Sequence, residues 1–214
     1  MTRQETWRDS SGPLRRLALA VALFSALACG PLTIDQTDPA QVGLQARDLS
    51  AEFRRCSQSG SIESYLRALP AGSDWRSLLT AGWKQLQSEG ADASAATAFT
   101  TTSDACTAEP GLASTRGVIS VVARFPDDSS ALRAHEAGSF GFPTPGRDQV
   151  EPGLRQGVAT QLGPHSWVRE RTLDNHTLSV AFWQSHKFCI FVLASALDTV
   201  ELQRSLVAMD GRAG

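Results

Sequence analysis

HSWVRERTLDNHTLSVAFWQSHKFCIFVLA, residues 165–194, reads as three consecutive strands. Valine, isoleucine, phenylalanine, tryptophan and threonine dominate it, side chains that pack well on a pleated surface. Asp174-Asn175 and Ser185-His186 supply two-residue turns of the hairpin kind, so the strands run about His165–Leu173, His176–Gln184 and Lys187–Ala194. The last strand, FCIFVLA, is apolar almost throughout, the pattern of a central strand covered on both faces. With Asp174-Asn175 as a tight turn, Leu173 pairs with His176 and Trp167 with Phe182. With Ser185-His186 as the next turn, Phe182 pairs with Cys189 and Trp183 with Phe188. Trp167, Phe182 and Cys189 then share one face, and Trp183 and Phe188 the other.

The flanks complete the pattern. Upstream, Val118–Phe125 is a strand that Pro126-Asp127 breaks, opening a helix through Ala131, Leu132 and His135 to Gly138. A Gly/Pro-rich loop follows from Phe140 to Gly153. Downstream, Ser195–Asp198 resembles a capping box, and the closing helix turns Leu197, Val200, Leu202, Leu206 and Met209 inward. The order strand–helix–strand–strand–strand–helix implies an α+β domain, an antiparallel sheet packed with helices. The preceding part is mostly helical. Ser61–Leu69 is a short helix, and Trp75, Leu78, Leu79, Trp83 and Leu86 trace one face of a longer one that Gly90 ends. Ala95–Thr101 reads as a further strand.

The N-terminus carries a different signal. LALAVALFSALA, Leu17–Ala28, is uncharged and follows Arg15-Arg16. As a helix it would cover roughly 18 Å, short of a bilayer core of about 30 Å. A basic region, a short apolar region and a small-residue cut site make residues 1–28 a signal peptide. Ala26-Leu27-Ala28-Cys29-Gly30 resembles the cleavage site of bacterial lipoproteins processed by the lipoprotein signal peptidase. The resemblance covers this segment only, and Ala26 stands where the family usually has leucine. It implies that Cys29 is lipidated and anchors the chain to the outer face of a membrane. Ala26-Leu27-Ala28 also meets the A-x-A rule of the general signal peptidase, which would cut the same bond. Residues 29–47, with Pro31 and Pro39, then read as lipidated cysteine and tether, and 48–214 as a single extracytoplasmic domain.

Two further resemblances concern the body. Its element order is similar to the extracytoplasmic sensor domains of some actinobacterial membrane proteins. DLSAEFRRC-SQSG, QLGPHSW and VAFWQ look like a set of uncharacterised lipoproteins of high-GC bacteria. Both imply compartment and architecture, and neither implies an activity.

In the 214-residue chain 42% of residues are hydrophobic and 20% charged, the composition of a globular protein. The formal net charge is −2, and removing 1–28, with four arginines and two acids, leaves −4. No excess of positive charge exists to hold phosphates, so no nucleic-acid partner is expected. Cys29 aside, three cysteines remain. Cys189 lies in the apolar strand and reads as a core residue. Cys56 and Cys106 lie in polar, turn-rich settings and suit a disulfide, whose loop of about 50 residues would contribute on the order of 4 kcal/mol.

No G-x-S-x-G, phosphate loop, G-x-G-x-x-G or H-E-x-x-H string occurs, nor a C-x-x-C pair. No catalytic residue, cofactor or metal is assigned on that basis. Asp127-Asp128 sits at a helix start and reads as a cap. The hairpin register brings His165 near His186, a candidate metal or pH-responsive pair. The aromatic strands could wall a pocket for an apolar or sugar ligand, or simply pack. These features favour a non-catalytic, membrane-anchored binding or interaction module. The alternative is a cell-envelope hydrolase with dispersed active-site residues.

Overall fold

A computed structural model describes residues 37–106, 108, 116–173 and 176–214. The signal segment and Cys29 lie outside these residues, as do Asp174 and Asn175. Eight strands form one antiparallel sheet: β1 (Arg54–Arg55), β2 (Gly60–Ser61), β3 (Ala93–Thr100), β4 (Gly117–Arg124), β5 (Leu154–Gln156), β6 (Ser166–Leu173), β7 (His176–Ser185) and β8 (Phe188–Ser195). Their order is β1-β3-β4-β8-β7-β6-β5, with β2 also on β3. The helices are α1 (Pro39–Val42), α2 (Ile62–Ala68), α3 (Asp74–Ser88), α4 (Asp128–Ala137) and α5 (Thr199–Ala213). The expected α+β architecture is present. β3 pairs with β4 along its whole length, so both sequence halves share one sheet.

β8 is central, flanked by β4 and β7. Its residues alternate strictly between two cores. Cys189, Phe191 and Leu193 face the layer of α2, α3 and α4. Phe188, Ile190, Val192 and Ala194 face α5 and residues 42–53. A strand buried on both faces has no polar side, which explains why FCIFVLA shows no alternation in sequence.

The first hairpin has the expected register, with Leu173 opposite His176 and Trp167 opposite Phe182. The second differs. Phe182 pairs with Phe191, Trp183 with Ile190 and Ser185 with Phe188. The turn is therefore His186-Lys187, with His186 in the left-handed region at φ 49°. The shift amounts to two residues on the partner strand, and side chains repeat every two residues. Trp167, Phe182 and Cys189 still share one face, and Trp183 and Phe188 the other.

Three other expectations are corrected. Residues 37–47 are no tether: Val42 and Leu44 are buried against α5 and the sheet. The Leu44 amide donates to the buried Ser120 hydroxyl at 3.1 Å. Asp48, the first residue assigned to the domain, is 4% exposed, and both its oxygens accept from the Arg212 guanidinium at 3.0 and 2.7 Å. The same guanidinium donates to the carbonyl of Gly43, and the Ser205 hydroxyl donates to that of Asp48. Val200 is exposed, not inward. Asp198 caps α5 by accepting from Val200 and Glu201 amides, and Leu202, Leu206, Met209 and Ala213 set the buried stripe. Val200 stands about 200° round the helix from Leu202. The loop of 140–153 is followed by β5, too short to announce itself in sequence.

Cys56 and Cys106 form a disulfide. Cys189 is a free, buried thiol whose Sγ donates to the Ala131 carbonyl at 3.0 Å, and burial pushes its pKa up. Among the described residues no helix is long and apolar enough to cross a membrane.

Candidate functional site

α4 opens as its sequence dictates. Asp127 is the N-cap, its carboxylate accepting the Ser129 hydroxyl at 2.7 Å and the Ser130 amide at 2.8 Å, and those hydrogen bonds hold its pKa down. Ala131, Ala134 and His135 fall on the buried stripe. Gly138 then reverses the chain at φ 75°, where a Cβ would meet the Phe142 carbonyl at 2.8 Å. The following loop is pinned on α3. The Phe140 ring covers Gly82 so closely that a Cβ there would lie 2.3 Å from it, and Gln85 donates to the Gly138 carbonyl at 2.6 Å. The loop thus leaves the sheet over β6 and returns through β5.

Between loop, α4 and the start of β6 lies a cavity of about 480 Å³, within the usual range for small-ligand sites. Burial grades along its wall. Trp167 and His135 are 1% and 4% exposed and form the inner end. His165 is half-buried, and Glu136, Arg147 and Val158 are exposed at the mouth. His135 stacks on Phe182, centroids 5.1 Å apart, and meets His165 edge-on at 6.4 Å. Phe182 in turn meets Trp167 edge-on at 6.2 Å.

Neither ring nitrogen of His135 has a hydrogen-bond partner, and neither does Trp167 Nε1, although all are buried. Two other tryptophans are satisfied, Trp83 Nε1 donating to Glu63 and Trp183 Nε1 to Asp210, both at 3.1 Å, while Trp75 Nε1 and both His176 ring nitrogens also lack partners. Burial pushes the His135 pKa down to about 4, and the neighbouring His165 adds to the shift. The Phe182 backbone opposes it slightly, from a position outside hydrogen-bond geometry. His135 is therefore a neutral imidazole at pH 7, with one N–H donor and one bare acceptor.

His165 was expected beside His186. Its backbone carbonyl does accept from the Gln184 amide at 2.9 Å, as that register requires. Its side chain shares the odd-numbered face with Trp167, which turns it under α4 toward His135. His186 sits in its left-handed turn instead, 4.0 Å from Asp128 and exposed. Among the described residues no group of three or more His, Cys, Asp or Glu is arranged to hold a metal ion. Sequence reasoning missed the His135–His165 pair. The available signal was His135 four residues after Ala131 on an inward stripe, a polar residue at a core position.

A serine hydrolase places its nucleophile beside a histidine. The serine on this cavity, Ser166, is instead tied to Thr160 Oγ1 at 2.6 Å and donates toward the carbonyls of Gly157 and Gly163.

Comparison of the chain with protein-family models and with curated proteins returns no match. Among solved structures, the extracellular domain of PknH from Mycobacterium tuberculosis is similar at a TM-score of 0.43 and 11% identity, covering 80% of this chain and 92% of that one.

Proposed function

We propose that this chain is an exported binding module, anchored through a lipid on Cys29 to the outer face of a bacterial membrane, that holds a small ligand in the cavity of His135, His165 and Trp167. One observation carries the binding: three buried polar atoms of two residues that line the cavity, His135 and Trp167, lack partners. A buried polar group without a hydrogen bond costs roughly 1–3 kcal/mol. A seated ligand would supply the missing partners. Export is supported by the signal-like residues 1–28 and by the Cys56–Cys106 disulfide, which persists in oxidising compartments. The anchor is supported by Ala26-Leu27-Ala28-Cys29.

The test of binding is an NMR titration of the full mature chain with a panel of sugars, alcohols, amines and carboxylates. At least one class is expected to move the Trp167 indole N–H and the His135 ring signals, and Trp167→Phe to weaken the binding read from the His135 signals about tenfold or more. No movement of either signal by any class up to about 10 mM, the regime of binding weaker than roughly 3 kcal/mol, would overturn the reading. Intact mass tests the anchor. A mass starting at Cys29 with acyl chains is expected, and an unmodified Cys29 removes it.

A further inference from the structure

Resting on that reading of the cavity, we infer that its ligand is a small organic anion, a carboxylate on a flat apolar body. The argument starts from what the wall has left to offer. Its neutral polar side chains are already engaged. Ser166 is bonded to Thr160, the Thr144 hydroxyl donates to the His135 carbonyl, and the Gln156 amide nitrogen donates to the carbonyls of Gly146 and Gln149. A polyol would find few free hydroxyl or amide partners. What remains is the Trp167 N–H, a donor only, and the two imidazoles, with the Arg147 guanidinium at the mouth.

The charge pattern agrees. On the cavity, Arg147 and two imidazoles face one carboxylate, Glu136, and that one is exposed at the mouth. Among the described residues, the other elements against His135 bring no counter-charge. β7 presents Phe182, and β8 presents the Cys189 thiol. Among the described residues no acid lines the inner end, where an anion would have two donors within a desolvated site. Val158, Pro145 and Pro164 on the walls suit a flat hydrocarbon body.

An anion seated against His135 raises the affinity of that imidazole for a proton, so binding takes up a proton. The empty-site pKa is about 4, and the bound-site pKa lies above it. Affinity therefore rises as pH falls toward the bound value.

Benzoate and its neutral isosteres benzamide and benzyl alcohol are the probes, used on the full mature chain. Benzoate is expected to move the Trp167 N–H and His135 signals and to bind on the order of tenfold more tightly at about pH 5 than at about pH 7. Benzamide is expected to bind at least tenfold more weakly and without pH dependence. His135→Leu should abolish the benzoate pH dependence. Should that variant not fold, the wild-type comparison of benzoate with benzamide decides alone. Equal binding of the two, or benzoate affinity flat with pH, overturns the inference. If sugars or alcohols move Trp167 while carboxylates do not, the cavity stands as a binding site and the anion falls. If no probe moves it, the binding reading falls as well.

Discussion

The two faces of the sheet are built from similar apolar side chains, yet Asp48 and Trp183 on one are partnered where His135 and Trp167 on the other are not. On the face of α5 the buried Asp48 carboxylate has a bidentate guanidinium from Arg212 and the Gln45 amide, the last at 2.8 Å. Trp183 on that face has Asp210. On the face of α4, His135 and Trp167 are as deeply buried and have nothing. A fold able to satisfy an ion pair on one side has no general difficulty with polar groups. Unpartnered atoms also occur at Trp75, Ser94, His176 and Ser195, and what distinguishes His135 and Trp167 is that both line a cavity.

The comparison can be broken from either side. The largest effect is expected on the α4 face, which the disulfide closes. Cys56→Ala with Cys106→Ala opens a loop with a sequence separation of 50 and should lower stability by about 4 kcal/mol in urea unfolding. A loss under about 1 kcal/mol would mean that packing alone holds residues 56–106 in place. On the satisfied face, Arg212→Met strands the Asp48 carboxylate, whose side chain is 3% exposed, and should cost about 3 kcal/mol. A neutral outcome would equate the two faces.

The smallest effect has the opposite sign. His135→Leu removes unpartnered nitrogens at nearly constant volume and should raise stability by about 1 kcal/mol at pH 7. The same variant sharpens the pH dependence. The folded-state pKa of His135, about 4, lies below the ordinary 6.5, so the unfolded chain binds the extra proton between these values. Stability contributed by the neutral imidazole is whole above about pH 6.5 and is lost as pH falls toward 4. Wild-type protein should weaken over that window in acid titrations of unfolding, and His135→Leu should weaken less. Identical slopes would place the acid sensitivity elsewhere.

These contrasts were unevenly legible in the sequence. The double-sided sheet was visible because FCIFVLA is apolar at every position, and face assignment survived a register error of two residues because the side-chain period is two. The turn itself was harder, since Ser185-His186 and His186-Lys187 are both polar pairs and only the left-handed His186 separates them. Residues 37–47 looked like a tether because Pro39 and polar residues hid two buried anchors, Val42 and Leu44, whose partner α5 lies more than 150 positions away. The cavity was illegible for the same reason. His135 and His165 meet across a helix and a strand start, a juxtaposition that no local spacing encodes.

The Asp48–Arg212 clasp joins positions 164 residues apart. Loop-closure entropy is charged before such a contact gives anything back, so it belongs to the last events of folding. The hairpins of β6, β7 and β8 can form from neighbouring sequence, while 42–48 must wait until Arg212 is available. A chain delivered N-terminus first would hold its earliest described residues loose until nearly all the rest had followed. The clasp is thus closed late although one side of it is made early.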